Sequence, residues 1–206
     1  MQDEPPIIKI TLLGNSSVGK TCIIDRYINI PFNENTSTTI GANYAEKTIV
    51  KNGKEYLLNI WDTAGQEKFH SLGKHFYKDS HIIILVYDIF NQKSLDALKS
   101  VWYPDFQKYG EKYSVLAVVG NGEFSYERDD LVDEEQAKAF AKEINATFML
   151  TCPKSGDGIE KLFDILIDKF LSNPKFEDIL KGKGENIVLD NKNDNKRNRN
   201  KKKKCS

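Results

Sequence analysis

Gly14-Asn15-Ser16-Ser17-Val18-Gly19-Lys20-Thr21 follows directly on the apolar run Ile7-Ile8-Lys9-Ile10-Thr11-Leu12-Leu13. The pattern is G-x-x-x-x-G-K-T between a strand and a helix. That spacing suits a loop that holds a nucleoside triphosphate by its phosphates. Glycines let the backbone curl until successive N–H groups converge on phosphate oxygens. Lys20 brings a positive charge to the outer phosphates, and Thr21 offers a hydroxyl to Mg²⁺. A helix starting near Val18 adds the positive end of its dipole. The candidate nucleotide contacts here are Ser16, Ser17, Val18, Gly19, Lys20, Thr21 and Cys22. An ordinary strand-turn-helix needs none of these residue types in this order.

The chain has 206 residues. That is room for one α/β domain of about 170 residues and a tail. Net charge is zero but unevenly placed. Residues 191–206 hold eight of the 30 Lys/Arg and one of the 30 acids, so this tail carries +7 and the remainder −7. An acidic body argues against nucleic acid as a partner of the folded part. A basic tail argues for an anionic surface. Cys22, Cys152 and Cys205 are odd in number, widely spaced and without a metal-ligand pattern, which fits a reducing, cytoplasmic compartment. The opening Met1-Gln2-Asp3-Glu4-Pro5-Pro6 is acidic and turn-forming, unlike a signal peptide. The longest apolar run, Ile82-Ile83-Ile84-Leu85-Val86-Tyr87, is too short for a bilayer and reads as a buried strand.

Strand and helix patterns alternate along the chain. Strands are expected over 7–13, 42–51, 54–61, 81–87, 114–120 and 146–150. Helices are expected over 18–30, over 92–109 with an interruption near Pro104, over 133–144 and over 158–171, with a weaker one at 176–180. Asn52-Gly53 marks a hairpin, and Asp133 with Gln136 resembles a capping box. The segment 31–41 reads as a loop. Beyond Gly182, Asn and Lys dominate and no core can form. The reading is an α/β fold: a mostly parallel six-stranded sheet with one antiparallel edge strand and helices on both faces. The expected divisions are an extension at 1–6, a nucleotide-binding domain at 7–172 and a basic tail at 173–206.

A second motif, Trp61-Asp62-Thr63-Ala64-Gly65-Gln66-Glu67, lies at a strand end about 40 residues after the first. Together the two resemble the Ras superfamily of small GTPases, whose P-loop NTPase fold is thereby expected. The Rab branch is most similar, over about residues 7–171. Ile40-Gly41-Ala42-Asn43-Tyr44 looks like its first switch. Leu58-Asn59-Ile60-Trp61 and Phe76-Tyr77-Lys78 are similar to its neighbouring segments. Val101-Trp102-Tyr103-Pro104-Asp105 looks more like the Rho branch, but residues 121–151 leave no room for the extra Rho helix. The resemblance implies GTP and GDP as ligands, Mg²⁺ held at Thr21, Thr39 and Asp62, and slow GTP hydrolysis. Thr39, with Thr38 as its rival, would close on metal and γ-phosphate. Gly65 would sense the γ-phosphate, Gln66 would place the attacking water, and Lys20 would stabilise charge. An effector would meet Ile40, Tyr44, Trp61 and Phe76; plain core packing is the competing role for these aromatics. Exchange factors and activating proteins are implied as partners, with a role in vesicle traffic.

The base-binding half departs from the family pattern. Where the family has Asn-Lys-x-Asp, this chain has Asn121-Gly122-Glu123-Phe124. Where it has Thr-Ser-Ala-Lys, this chain has Thr151-Cys152-Pro153-Lys154. Asn121, Cys152, Pro153 and Lys154 are the candidate base contacts. The absent Asp would accept two charge-assisted hydrogen bonds from guanine, each worth roughly 1.5–3 kcal/mol. Losing both lowers guanine affinity by roughly 10²- to 10⁴-fold. Pro153 lacks an N–H. Three outcomes stay open: GTP binding with slack base selection, rescue by Glu123 or Asp129, or a pseudo-GTPase interaction module that binds nucleotide weakly or has drifted to another base. Phe124 is either a base-stacking ring or a loop aromatic.

The tail ends Lys201-Lys202-Lys203-Lys204-Cys205-Ser206. Rab-like tails carry prenylated cysteines, but Cys205 is neither four from the end nor one of a pair. It is a lipidation candidate beside a basic run that suits the cytosolic face of anionic intracellular membranes. The alternatives are a solvated charge run and a nuclear-import-like segment.

Overall fold

The computed structural model describes residues 4–32, 42–63, 76–123 and 131–182. Strands β1 (Ile7–Leu13), β2 (Ala42–Lys51), β3 (Lys54–Thr63), β4 (Ile82–Asp88), β5 (Val115–Asn121) and β6 (Thr147–Thr151) form one sheet. Their order is β2-β3-β1-β4-β5-β6. β2 runs antiparallel to β3; every other pairing is parallel. The hairpin is the one that Asn52-Gly53 announces. Both residues have positive φ, 54° and 74°, as a tight turn matched to strand twist requires.

Alternation sorts β1 and β3 onto two faces. Ile8, Ile10, Leu12, Leu58 and Ile60 lie under α1 (Lys20–Tyr27) and a long helix over Ile159–Leu171. Phe163 of that helix is fully buried and stacks on Tyr27, ring centroids 3.7 Å apart. β4 is buried on both faces, so it reads as an unbroken apolar run. Its Ile83, Leu85 and Tyr87 pack under Leu95, Leu98, Trp102 and Phe140. Among the described residues no helix is long and apolar enough to cross a membrane.

Several elements differ from expectation. α1 begins at Lys20, not residue 18, because Ser17 and Gly19 hold positive φ of 64° and 87° and belong to the loop. It ends at Tyr27, and Asn29 has φ 67°. The helix expected over 92–109 is not broken at Pro104. It runs as α2 (Gln92–Ala97), a π-helical turn over Leu98–Trp102 and α3 (Tyr103–Tyr109). Proline has no N–H and its ring clashes with the carbonyl four residues back. A wider turn just before Pro104, with Pro104 in the first turn of α3, accommodates both. The strands around residues 114–121 and 146–151 each start and end one residue later than expected, so Asn121 and Thr151 become strand termini.

Helix α4 (Glu134–Glu143) is capped by Asp133, whose side chain accepts the Glu135 N–H at 2.9 Å. Gln136 does not complete a capping box through its side chain: its Oε1 accepts from Gln92 Nε2. The Ile159–Leu171 helix is α5, and α6 (Phe176–Leu180) follows, anchored by buried Ile179.

His81 is buried beside Phe170 and Tyr113, and its Nδ1 accepts the Lys9 backbone N–H at 2.9 Å. That geometry needs the neutral ring. Burial, reinforced by Lys9, pushes its pKa down to about 4. The unfolded chain therefore binds the proton first as pH falls. The contribution of neutral His81 is complete above about pH 6.5 and is lost between there and pH 4, roughly 3 kcal/mol in all. Urea unfolding at pH 7 and pH 5 checks this: wild type should lose more stability than His81→Gln. In the same assay Phe163→Ala should cost about 3–5 kcal/mol at pH 7.

Candidate functional site

The loop of residues 14–19 and the ends of β3, β5 and β6 meet at the carboxyl edge of the parallel strands, where open α/β sheets bind ligands. Two glycines are required sterically. A Cβ on Gly14 would lie 2.2 Å from Val86 O, and one on Gly19 2.2 Å from Asn121 Nδ2. On its outer side the loop is held by Trp102, whose indole N–H donates to Asn15 Oδ1 at 2.8 Å.

Lys20 folds back over the loop. Its Nζ donates to Gly14 O and Asn15 O, both at 2.9 Å. Burial pushes its pKa down to about 8, partly opposed by Asp62. A polyanion beside it would favour the charged form. Thr21 donates to Asp62 Oδ2 at 2.6 Å. Asp62 is buried at the end of β3, and the next residue, Thr63, donates to Leu12 O at 2.7 Å, fixing that end against β1. Burial, then Asp62, pushes the Asp25 carboxyl up. The hydroxyl and carboxylate oxygens of Thr21 and Asp62 form a hard-oxygen pair that fits Mg²⁺, which takes few protein ligands and completes its shell with phosphate and water.

Asn121, an expected base contact, also has its amide engaged within the protein. Nδ2 donates to Val18 O at 3.0 Å, and Oδ1 accepts from Thr151 Oγ1 at 3.0 Å. Gly122 N donates to Thr151 O at 3.0 Å. One side chain thus joins the phosphate loop, β5 and β6. The Cys152 N–H is engaged by Asp157 O at 3.0 Å, and Cys152 is buried.

The site of the missing lysine is filled. A Cβ on Gly122 would lie 2.5 Å from Ile89 Cγ1 and 3.2 Å from Phe90 Cε2. Ile89 and Phe90 were not singled out in the sequence. Their only signal there is an apolar pair just after the β4 Asp88. Glu123 reaches across to Lys154, Oε2 to Nζ 3.4 Å, linking the β5 and β6 loops.

The aromatic surface assembles as expected. Tyr44 and Trp61 are direct cross-strand partners with centroids 5.6 Å apart, and Trp61 lies 6.0 Å from Phe76. Tyr44 is 52% exposed, so this cluster is surface and not plain core. Lys9 Nζ sits 5.6 Å from the Trp61 ring centre. Thr38, Thr39, Ile40, Gly65, Gln66, Phe124, Asp129 and Cys205 lie outside the described residues.

Removing the Asn121 amide strands Val18 O and Thr151 Oγ1. Asn121→Ala should therefore lose about 1–3 kcal/mol in urea unfolding, and should release bound nucleotide faster in a filter-binding assay.

The sequence matches the Ras family over residues 9–172. It is 36% identical over 176 residues to the human Ras-related protein Rab-21, covering 85% of this chain and 77% of that one. The dog protein of the same name gives 36% over 176 residues, with 85% and 78% covered. The human Ras-related protein Rab-30 is 34% identical over 175 residues, with 85% of each chain covered. Phosphate loop, sheet order and aromatic cluster agree with these likenesses, and the chain belongs to the Ras family as a Rab-like small GTPase.

Proposed function

We propose that this GTPase is a Mg²⁺-dependent switch whose affinity rests on the phosphate half of its site, with slack selection of the base. The observation that carries the reading is the triad of Lys20, Thr21 and Asp62 around the loop. Residues 7–172 are the working domain, 1–6 an extension and 173–206 a basic tail. Backbone N–H groups of Ser16 to Cys22 and the Lys20 ammonium bind the phosphates. Thr21 and Asp62 hold the metal, joined by Thr39. When bound, the metal neutralises charge on the phosphoryl oxygens. There is little covalent chemistry for the protein to do; positioning and charge stabilisation dominate. Gln66 orients the water, Gly65 meets the γ-phosphate, and hydrolysis releases Thr39 and Gly65. Effectors dock at Ile40, Tyr44, Trp61 and Phe76. Exchange factors and activating proteins set the cycle. The lysine-rich tail, with Cys205 as a lipid site, directs the protein to the cytosolic face of intracellular membranes in vesicle traffic.

A second reading of base selection is favoured by the Glu123–Lys154 bridge, which puts a carboxylate beside the base loops. In that reading Glu123 accepts from the guanine edge in place of the missing Asp.

Calorimetric titration with GTP, GDP, XTP and ATP, with and without Mg²⁺, tests both. Slack selection predicts GTP and XTP affinities within about tenfold, both falling sharply on chelation. A GTP preference of about 10³-fold that Glu123→Gln abolishes would favour the carboxylate instead. No binding of any triphosphate would leave an interaction module. Gln66→Leu should leave GTP affinity unchanged and remove most of the phosphate release seen in a single-turnover assay.

A further inference from the structure

On the sheet face of Trp61, away from the phosphate loop, lies a groove of about 600 Å³. Ile7, Asn59 and Trp61 form its floor, Tyr113 and His81 one side, and Ile179, Leu180 and Gly182 of the α6 end another. Ile7 is 47% exposed there. Asn59 Oδ1 is buried and has no hydrogen-bond partner among the described residues. A buried carbonyl oxygen without a donor is a cost that a bound N–H removes. The groove carries lysines Lys9 and Lys78 and acids Asp79 and Glu111, so neither sign excludes a mixed peptide.

The chain itself leaves from this groove. Gly182, on its rim, turns with φ 72°, and residues 183–206 continue from it. That stretch is mostly Asn, Lys, Arg and acid, and Ile187-Val188-Leu189 is its only apolar run. Two β-branched residues in succession favour an extended backbone. The four residues 183–186 between rim and run span at most about 14 Å, enough to turn back onto a floor that Gly182 already borders.

We propose that Ile187-Val188-Leu189 of the chain's own tail docks in this groove, packing on Ile7, Trp61 and Leu180 and giving a backbone N–H to Asn59 Oδ1. The docked run covers the flank of the Tyr44–Trp61–Phe76 cluster. The tail then competes in cis with any protein that binds this cluster, and ligand binding to the tail uncovers it. This docking does not rest on the nucleotide reading, since no groove residue belongs to the phosphate site.

The test uses the full chain and its two indole N–H resonances, from Trp61 and Trp102. The triple variant Ile187→Ser, Val188→Ser, Leu189→Ser should move the Trp61 signal and leave that of Trp102 in place. Ile7→Asp, on the groove side, should move Trp61 again, and the triple change on top of it should add nothing. Both effects should persist unchanged on dilution. A Trp61 signal identical in wild type and triple variant overturns the proposal. A shift that fades on dilution overturns it too, because the occupant is then a second copy.

Discussion

The amide of Asn121 is the contact on which the rest of the site depends. It spans three elements far apart in sequence: the phosphate loop through Val18 O, its own strand β5, and β6 through the Thr151 hydroxyl. The loop can approach it closely only because residue 19 has no side chain. The loop is rooted again where Gly14 meets the Val86 carbonyl, and it is held from outside by Trp102. A curled loop backbone has no ladder of its own to hold it. These side-chain ties do that work, so the loop is preformed and does not have to be ordered by its ligand.

Electrostatics follow from that rigidity. Lys20 is drawn under the loop onto two carbonyls and is buried enough for its proton affinity to fall. Asp62 is buried within hydrogen-bond reach of Thr21. A cation and a carboxylate are thus kept near one another in a buried site. Burying either charge is costly, and in the proposed function a metal-bound polyphosphate offsets that cost. That is the physical ground for proposing strong phosphate binding beside a poorly matched base pocket.

The base pocket has changed in a coherent way. Gly122 is not simply a lysine deleted, because Ile89 and Phe90 occupy the space where a side chain would emerge. Pro153 lacks a donor, and the neighbouring Cys152 N–H is turned inward to Asp157. A further polar link between the two loops joins Glu123 to Lys154. Apolar side chains beside Gly122 and the Glu123–Lys154 ion pair stand where the family pattern would place polar base contacts.

Much of this was legible in the chain. Glycine spacing, Lys-Thr and the alternation of β1 and β3 fixed the phosphate loop and sheet, because each is a local pattern with one geometry that satisfies it. Asn52-Gly53 set the hairpin for the same reason, both residues tolerating positive φ. Tertiary structure alone decided that Asn121 spends its amide on Val18 and Thr151, since those partners are 103 and 30 residues away. It also decided that Pro104 is absorbed by a π turn, that Ile89 and Phe90 close the lysine space, and that His81 must be neutral. Each of these depends on which atoms long-range packing brings within a few ångströms, and no local pattern encodes that.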